Sequence, residues 1–489
     1  MDKSQRERYL ITLVIPPPES IDKQYSPNLG IGYIAAVLEN AGYKVQIIDS
    51  LAEGLDEEAT AQRVAASEAV AVGLTTTTDS RFRAIKTIQL IKAKNPKIFI
   101  FVGGRHFHHT AESALKNVKE IDVVIRGEGE LAVLELLDKH FEGGSIDAIK
   151  SVVCRKNGSI IINPLQPLIK NLDSLPFPAW HLFKLDRYNA DLEGLRSGLR
   201  SIGVISSRGC PNLCIFCANA SFWNTLRLRS PKNFVDEIEM LNKNYGYGAF
   251  NFWDDTMTMV SKHISSICDE IIKRKLDIIW YARARVNTVS KEILEKMKEA
   301  GCRVISYGVE SGSPKILKSI KKNISIGQIL KAYDLSLGLG FNTKAFFMES
   351  FPGETLKDIE MTNDLKIKLL MIGLKHFRPV YITDVNNCTL IYPGTEIETI
   401  AKNENLLSKD FDWNKQTSFP LNKKFGFSPY IPVYQSPTLS IEEIMDFNLN
   451  YNKRPSVLFK KFIYHLFLIR NWHNFRSFVS MLFHKAQHS

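Results

Sequence analysis

The sequence predicts an α/β protein in three parts: a doubly wound parallel sheet, then a partial parallel barrel, then a mostly helical extension. Three observations carry this. Short β-rich runs alternate with helical patterns over most of the 489 residues. The runs are apolar throughout rather than at every second residue, as in strands buried on both faces. At about 150 residues per domain, the length suits roughly three folding units.

In the first part, Tyr9 to Ile15 reads as a strand ending at Pro16-Pro17-Pro18, and Leu29 to Ala41 as a helix stopped by Gly42. Val45 to Ile48 is a strand, Glu57 to Ala66 a helix, and Ala69 to Leu74 a strand opening into Thr75-Thr76-Thr77-Thr78. A helix at Ala84 to Ala93, strands at Ile98 to Val102 and Val123 to Ile125, and a helix at Leu131 to Phe141 complete residues 1–142. Such sheets bind ligands beyond the carboxyl ends of their strands. That rim carries the three prolines, the four threonines, Gly103-Gly104-Arg105-His106 and Gly127-Glu128-Gly129-Glu130. Strand stops and helix caps explain each loop singly; four on one rim point to a ligand.

Residues 143–197 are less regular, with Pro164, Pro167, Pro176 and Pro178, and read as a connector. Over 198–385 the alternation resumes. Strands are expected at Ile202 to Ile205, Phe250 to Trp253, Ile278 to Tyr281, Val304 to Gly308, Thr343 to Met348 and His376 to Ile382. Helices at Asn233 to Lys243, Ser261 to Lys273, Lys291 to Ala300, Pro314 to Ile320, Ile326 to Leu337 and Thr355 to Leu370 lie between them. Six such units suggest an incomplete barrel with chemistry at the C-terminal strand ends. Residues 386–489 form the extension: 386 to 434 is loop-rich and suited to covering the barrel mouth, and basic amphipathic helices follow.

Composition narrows the class. Hydrophobic residues at 44% and charged residues at 24% exclude wholesale disorder and a polytopic membrane protein. The charged start, Met1 to Tyr9, has no secretory pattern, and the seven cysteines are few and odd in number, so a cytoplasmic, reducing setting is expected. Net charge is +11, which alone selects no partner.

Three of the cysteines, Cys210, Cys214 and Cys217, sit within Arg208-Gly209-Cys210-Pro211-Asn212-Leu213-Cys214-Ile215-Phe216-Cys217, directly after the first barrel strand. Three thiolates on one tight loop can bind three irons of a 4Fe-4S cluster and leave the fourth open for reaction. Zinc is the rival, but a structural zinc site wants four closed ligands, and no fourth Cys or His follows at short spacing.

This Cys-x-x-x-Cys-x-aromatic-Cys loop resembles the radical S-adenosylmethionine (SAM) enzymes, in which the open iron chelates SAM and an electron cleaves it to a 5′-deoxyadenosyl radical. The resemblance makes Cys210, Cys214 and Cys217 the cluster ligands and puts Phe216 near the adenine. Phe252-Trp253-Asp254-Asp255-Thr256 ends the second barrel strand, where the family contacts the SAM amino group. Two aspartates replace the commoner Gly-Gly-Glu there, and either Asp254 or Asp255 is a candidate contact or a helix cap. By the same resemblance Glu310 and Ser311 approach the SAM ribose or methionyl end, and Arg283 or Arg285 pairs with its carboxylate. Phe351-Pro352-Gly353-Glu354-Thr355 is similar to a turn that shapes the family's barrel.

The first part looks like the cobalamin-binding domain of B12-dependent radical SAM enzymes, a Rossmann-like sheet. That implies cobalamin contacts at Pro17, Thr75, Thr76, Gly103, Gly104, His106, Gly127 and Glu128. The Asp-x-His-x-x-Gly loop that supplies a cobalt ligand in methionine-synthase-type domains is missing after the first strand. Its string occurs only at Asp138-Lys139-His140-Phe141-Glu142-Gly143, at a helix end, so no histidine ligand to cobalt is expected. His108 and His109 read as surface or loop histidines. The cofactor pair implies C-methylation of an unactivated carbon, with one SAM as radical source and another to remethylate cobalt. A radical cyclase acting on a lipid or tetrapyrrole is the first rival, and a non-catalytic iron-sulfur or cobalamin carrier the second.

From Tyr451 to Ser489 there are seven Lys or Arg and no Asp or Glu, among many aromatic and aliphatic residues. Such a segment suits either peripheral contact with the inner face of the membrane or packing on the barrel with a basic face in water. The expected partners are a small-molecule or lipid substrate and an external electron donor such as flavodoxin or ferredoxin. No RNA-binding module accompanies the charge, and no nucleic-acid partner is expected.

Overall fold

The computed structural model describes all residues except 20–25, 189–191, 193–194, 196, 384–387, 409, 420–421, 423–425 and 469–489. The apolar runs of the first part form β1 (Leu10–Ile15), β2 (Lys44–Asp49), β3 (Ala69–Thr75), β4 (Phe99–Gly103) and β5 (Val123–Ile125), all parallel in the order β2-β1-β3-β4-β5. The direction of winding reverses between β1 and β3, and the crevice at that switch is where such a sheet receives ligand. Helices α1 (Lys3–Arg6), α2 (Leu29–Ala41), α3 (Ser50–Glu53), α4 (Glu57–Ala65), α5 (Arg81–Lys94), α6 (Arg105–Asn117) and α7 (Gly129–Phe141) join and flank the strands. α2 starts where the Asn28 side chain accepts from Ile31 N at 3.1 Å and stops at Gly42. The Asp138 to Gly143 string lies at the end of α7, where Asp138 pairs with Arg6 and His140 stacks on Phe99.

Two departures concern the segment read as a connector. β6 (Val152–Lys156) and β7 (Ser159–Ile162) extend the first sheet with two antiparallel strands. β6 turns from three buried residues to the exposed Arg155 and Lys156, and the edge strand β7 is at most partly buried, so neither is the long apolar run of a strand buried on both faces. The rest of the connector is bonded to both neighbours: Tyr188 Oη donates to Asp49 at 2.7 Å and Trp180 Nε1 to Glu237 at 3.0 Å.

The second sheet is wholly parallel and runs in chain order through β8 (Ser201–Val204), β11 (Ala249–Phe252), β12 (Ile279–Ala284), β13 (Cys302–Glu310), β14 (Asn342–Phe347) and β15 (Val380–Thr383). A two-stranded ribbon, β9 (Ser207–Arg208) with β10 (Arg227–Leu228), and the short α8 (Asn219–Phe222) intervene after β8. The crossover helices are α9 (Pro231–Tyr245), α10 (Ser261–Lys273), α11 (Lys291–Glu299), α12 (Pro314–Ser319), α13 (Ile326–Gly338) and α14 (Leu356–Lys375). β15 starts four residues later than expected because α14 continues through Lys375. Six strands paired only to their sequence neighbours leave an open barrel, as the sequence predicts. One buried apolar cluster runs from Ile11 through Trp180 to Tyr464, so the two sheets share a core.

Beyond β15 come α15 (Glu396–Asn403), α16 (Ile441–Asn452) and α17 (Pro455–Leu468). The loop-rich stretch before α16 packs against both earlier parts, not only the barrel mouth. Ile397 N donates to Ile215 O at 3.1 Å on the cysteine loop, and the buried Arg81 of α5 donates to the carbonyls of Trp413 and Tyr430.

Candidate functional site

The cysteine loop leaves β9 through Gly209, whose φ of +92° suits glycine and whose missing side chain makes room for the Thr225 carbonyl. Cys210 N then donates to Trp223 O at 3.0 Å and Cys217 N to Cys214 O at 3.0 Å, folding the loop on itself. Around the sulfurs stand donors: Asn212 Nδ2 is 3.1 Å from Cys210 Sγ and Arg285 Nη1 is 4.0 Å from Cys214 Sγ. Such contacts stabilize thiolate charge and tune a bound cluster. Among the described residues no three His, Cys, Asp or Glu side chains converge as a mononuclear metal site requires; a cubic cluster instead takes one thiolate at each of several irons. Cys154, Cys268, Cys302 and Cys388 are separately buried free thiols, and burial pushes Cys268 and Cys388 up to about 12.

The acidic and basic candidates divide by where the fold sends them. Asp254 is buried and accepts from Ser206 N, Ser206 Oγ and Ser207 Oγ, tying the end of β11 to that of β8. Burial raises its pKa, and these donors oppose the rise. Asp255 accepts from Asn219 Nδ2 at 2.6 Å and lines the large cavity described next, as does Arg283. Arg285 turns the other way, toward Cys214 and the Lys322 carbonyl. Glu310, at φ +70°, accepts from Lys322 Nζ at 2.7 Å, with both side chains buried. Ser311 bonds to Thr362 and Ser313. The Phe216 ring lies 5.8 Å from Phe351 in a small core between the cysteine loop and the C-terminal extension.

A cavity of about 740 Å³ opens between the carboxyl ends of the two sheets. Thr75, Thr76, Gly103, Gly104, Gly127 and Glu128 line its first-sheet side. Ser207, Arg208, Asn219, Phe222, Trp223, Trp253, Asp255 and Arg283 line the barrel side. Gly104 has φ +93°, and a Cβ there would stand 2.7 Å from Thr76 O, so only glycine lets this turn pack on the end of β3 and bare backbone forms part of the wall. Trp223 Nε1 is buried without a hydrogen-bond partner. An indole N–H only donates, so a ligand rich in acceptor oxygens, such as a corrin rimmed with amides, fits this wall.

Among the described residues Pro17 and His106 do not line this cavity. His106 points into the interior because α6 begins one residue earlier; its ring is fully buried between Thr78 Oγ1 at 3.3 Å and Asn414 Oδ1 at 3.2 Å. Arg105 lines the cavity instead, and its guanidinium donates to Asn219 Oδ1 at 2.5 Å. His108 and His109 are also helical, not loop residues. His108 is buried and its Nδ1 accepts from Gly127 N at 2.9 Å, fixing the Gly127 loop. Cys210, Cys214, Cys217, Phe216, Asp254, Glu310 and Ser311 lie off this wall as well.

One buried ion network joins the two halves. Arg208 donates to Glu128 at 2.8 Å and to Glu130 at 2.7 Å, Arg227 pairs with Glu128 at 2.7 Å, and the Arg208 guanidinium lies 4.8 Å from the Tyr33 ring centroid. Burial disfavors the Arg208 charge, but Glu130 and Glu128 outweigh it, and its pKa rises above the ordinary value. Sequence reasoning missed Arg208, Asn219 and Trp223 as site residues. The available signal was position: Arg208 immediately precedes Gly209-Cys210, and Asn219 and Trp223 follow Cys217 closely.

Residues 204–365 match the radical SAM superfamily and residues 22–137 the B12 binding domain. An uncharacterized methyltransferase of Pyrococcus horikoshii is 33% identical over 452 residues, covering 89% of this chain and 95% of its own. The anaerobic magnesium-protoporphyrin IX monomethyl ester cyclase of Rubrivivax gelatinosus is 29% identical over 69% of this chain and 61% of its own. The fold is shared with the radical SAM methyltransferase TsrM from Kitasatospora setae, solved with tryptophan substrate and a SAM analogue, at a TM-score of 0.67 and 16% identity over 81% of this chain and 76% of that one. With both domains matched in order and a full-length relative at this identity, the chain belongs to the B12-binding radical SAM enzymes.

Proposed function

We propose that the enzyme transfers a methyl group to an unactivated carbon of a small-molecule or lipid substrate. Its cofactors are a 4Fe-4S cluster, SAM and cobalamin. The observation that carries the reading is the single cavity walled on one side by the B12-binding sheet and on the other by barrel residues adjoining the cysteine loop. The cluster with SAM supplies a hydrogen-abstracting radical, and the corrinoid supplies a transferable methyl group.

The chain's own residues position, charge and dry this space. Cys210, Cys214 and Cys217 hold the cluster. Asp255, oriented by Asn219, offers a carboxylate to an ammonium group, and Arg283 a cation to a carboxylate. Glu310, Ser311 and Phe216 shape the more distant part of the SAM site. Thr75, Thr76, Gly103, Gly104, Gly127 and Glu128 bound the corrinoid, with Trp223 donating to it. Phe222, Trp223 and Trp253, which line the cavity, would help keep water from it when the cofactors are bound. Electrons come from a flavodoxin- or ferredoxin-type donor in the cytoplasm, and the basic segment 451–489 meets the inner face of the membrane.

Methyl-labelled SAM tests the reading. Reconstituted enzyme incubated with a small-molecule and lipid extract should yield 5′-deoxyadenosine together with label in a product. A product that has lost hydrogen and carries no label supports the second reading, a radical cyclase, which the similarity to the ester cyclase favors.

A further inference from the structure

α17 packs on α14 and reaches β15, the last strand of the open barrel, through Tyr464. Val380 N donates to Tyr464 Oη at 2.6 Å; Tyr464 is buried there, and Val457 is buried beside α14. The rest of the helix inverts the usual pattern. Leu458, Phe459, Phe462 and Leu466 are 53%, 65%, 47% and 47% exposed. Their spacing of three and four puts them on one stripe, where a helix facing only water is normally polar. Phe377 and Tyr381, on the β15 side of the same contact, are 54% and 43% exposed. An apolar surface of this kind on a folded enzyme marks an interaction site.

The charge around the stripe identifies what it meets. Lys453 and Lys460 are exposed beside it, Arg454 pairs with Glu360 at 2.6 Å, and residues 451–489 contain seven Lys or Arg and no acid. A second copy of this chain, or its own residues 469–489, would bring like charge onto like. An anionic surface neutralizes it. Between α14 and α17 a cavity of about 560 Å³ is lined by Lys368, Arg454 and Lys460, by the apolar Ile367, Met371 and Val457, and by Asp364, which accepts from Tyr451 Oη at 2.6 Å. Its net positive, partly apolar lining suits a lipid headgroup and the start of its chain. No described helix is long and apolar enough to cross a bilayer, so the fitting geometry is a helix lying in the interface plane.

We propose that α17 docks the enzyme on an anionic lipid bilayer through Leu458, Phe459, Phe462 and Leu466, with Lys453 and Lys460 on the headgroups. This deepens the reading of 451–489 as a peripheral membrane segment. It places the open edge of the barrel against the lipid phase, which selects lipophilic substrates that partition there.

The test is flotation of the full reconstituted chain with phosphatidylcholine vesicles and with vesicles containing about one third phosphatidylglycerol. The enzyme should float with the anionic vesicles only, and about 0.5 M salt should release it. Phe459→Ser with Leu466→Ser, and separately Lys453→Glu with Lys460→Glu, should each lower the partition constant about tenfold or more, with unchanged iron content and unchanged 5′-deoxyadenosine formation without vesicles. Failure of the wild type to float, or variants that float equally well, would overturn the proposal. So would lipid-independent dimerization lost in the same variants, or hydrogen exchange showing the stripe already protected without lipid. SAM cleavage measured without vesicles reports separately on the enzymatic reading.

Discussion

Replacing Arg208 by Met removes the one cation that meets both Glu128 and Glu130. Glu128 keeps Arg227, while Glu130 is left buried without a partner from this network. Breaking a buried pair in this way costs about 3–5 kcal/mol, most of it the penalty of the abandoned charge; the Tyr33 contact adds about 0.5–2 kcal/mol. A chain of several domains does not unfold in one step, so a single melting temperature would blur the effect. Amide exchange resolves it locally. At about 1.4 kcal/mol per tenfold, protection of the Gly127 loop and the cysteine loop should fall by roughly two and a half to five powers of ten, and the cluster should be lost faster on dilution. Adding Glu130→Gln to Arg208→Met removes the stranded charge and should restore much of the protection, since neighbours in one network are not additive. Protection within tenfold of wild type in the single variant, or no recovery in the double, would refute the claim that this network fastens the cysteine loop to the B12-binding sheet.

Trp223→Phe keeps a ring in the wall and deletes its N–H; corrinoid affinity, read from the visible spectrum during titration, should fall about three- to tenfold, and an unchanged affinity would remove Trp223 as a donor. Burial pushes His106 and His108 down to about 3, against 6.5 for an unburied histidine. The unfolded chain therefore takes up protons below about pH 6.5 that the folded chain refuses, so stability is full above that pH and declines as pH falls, by about 1.4 kcal/mol per unit for each histidine. His106→Gln, which retains polar partners for Thr78 and Asn414, should flatten that slope in urea unfolding between about pH 7 and about pH 5; an unaltered slope would contradict it.

Much of the architecture was legible because parallel strands buried on both faces write themselves as unbroken apolar runs. The rim loops were legible for a related reason: strand ends in this fold face ligand, so Thr75-Thr76 and Gly103-Gly104 announced a wall that the cavity indeed has. The orientation of single side chains was not. His106 and Arg105 are adjacent, and only the starting point of α6 decides which of them meets the cavity. Asp254 and Asp255 are likewise adjacent, and it takes Ser206 and Ser207, nearly fifty residues away, to draw the first inward. β6 and β7 were hidden because β6 turns polar at Arg155 and β7, the edge strand, lacks the doubly buried signature. Arg208 and Trp223 have ordinary sequence surroundings; their importance lies in contacts with another domain.

The account rests on a reactive cluster held by the three-cysteine loop. Its most direct test is 5′-deoxyadenosine formed from SAM by anaerobically reconstituted protein supplied with reductant, comparing the wild type with Cys214→Ala. The wild type should carry about four irons per chain and release 5′-deoxyadenosine, and the variant should do neither. Equal SAM cleavage by both proteins would contradict the account.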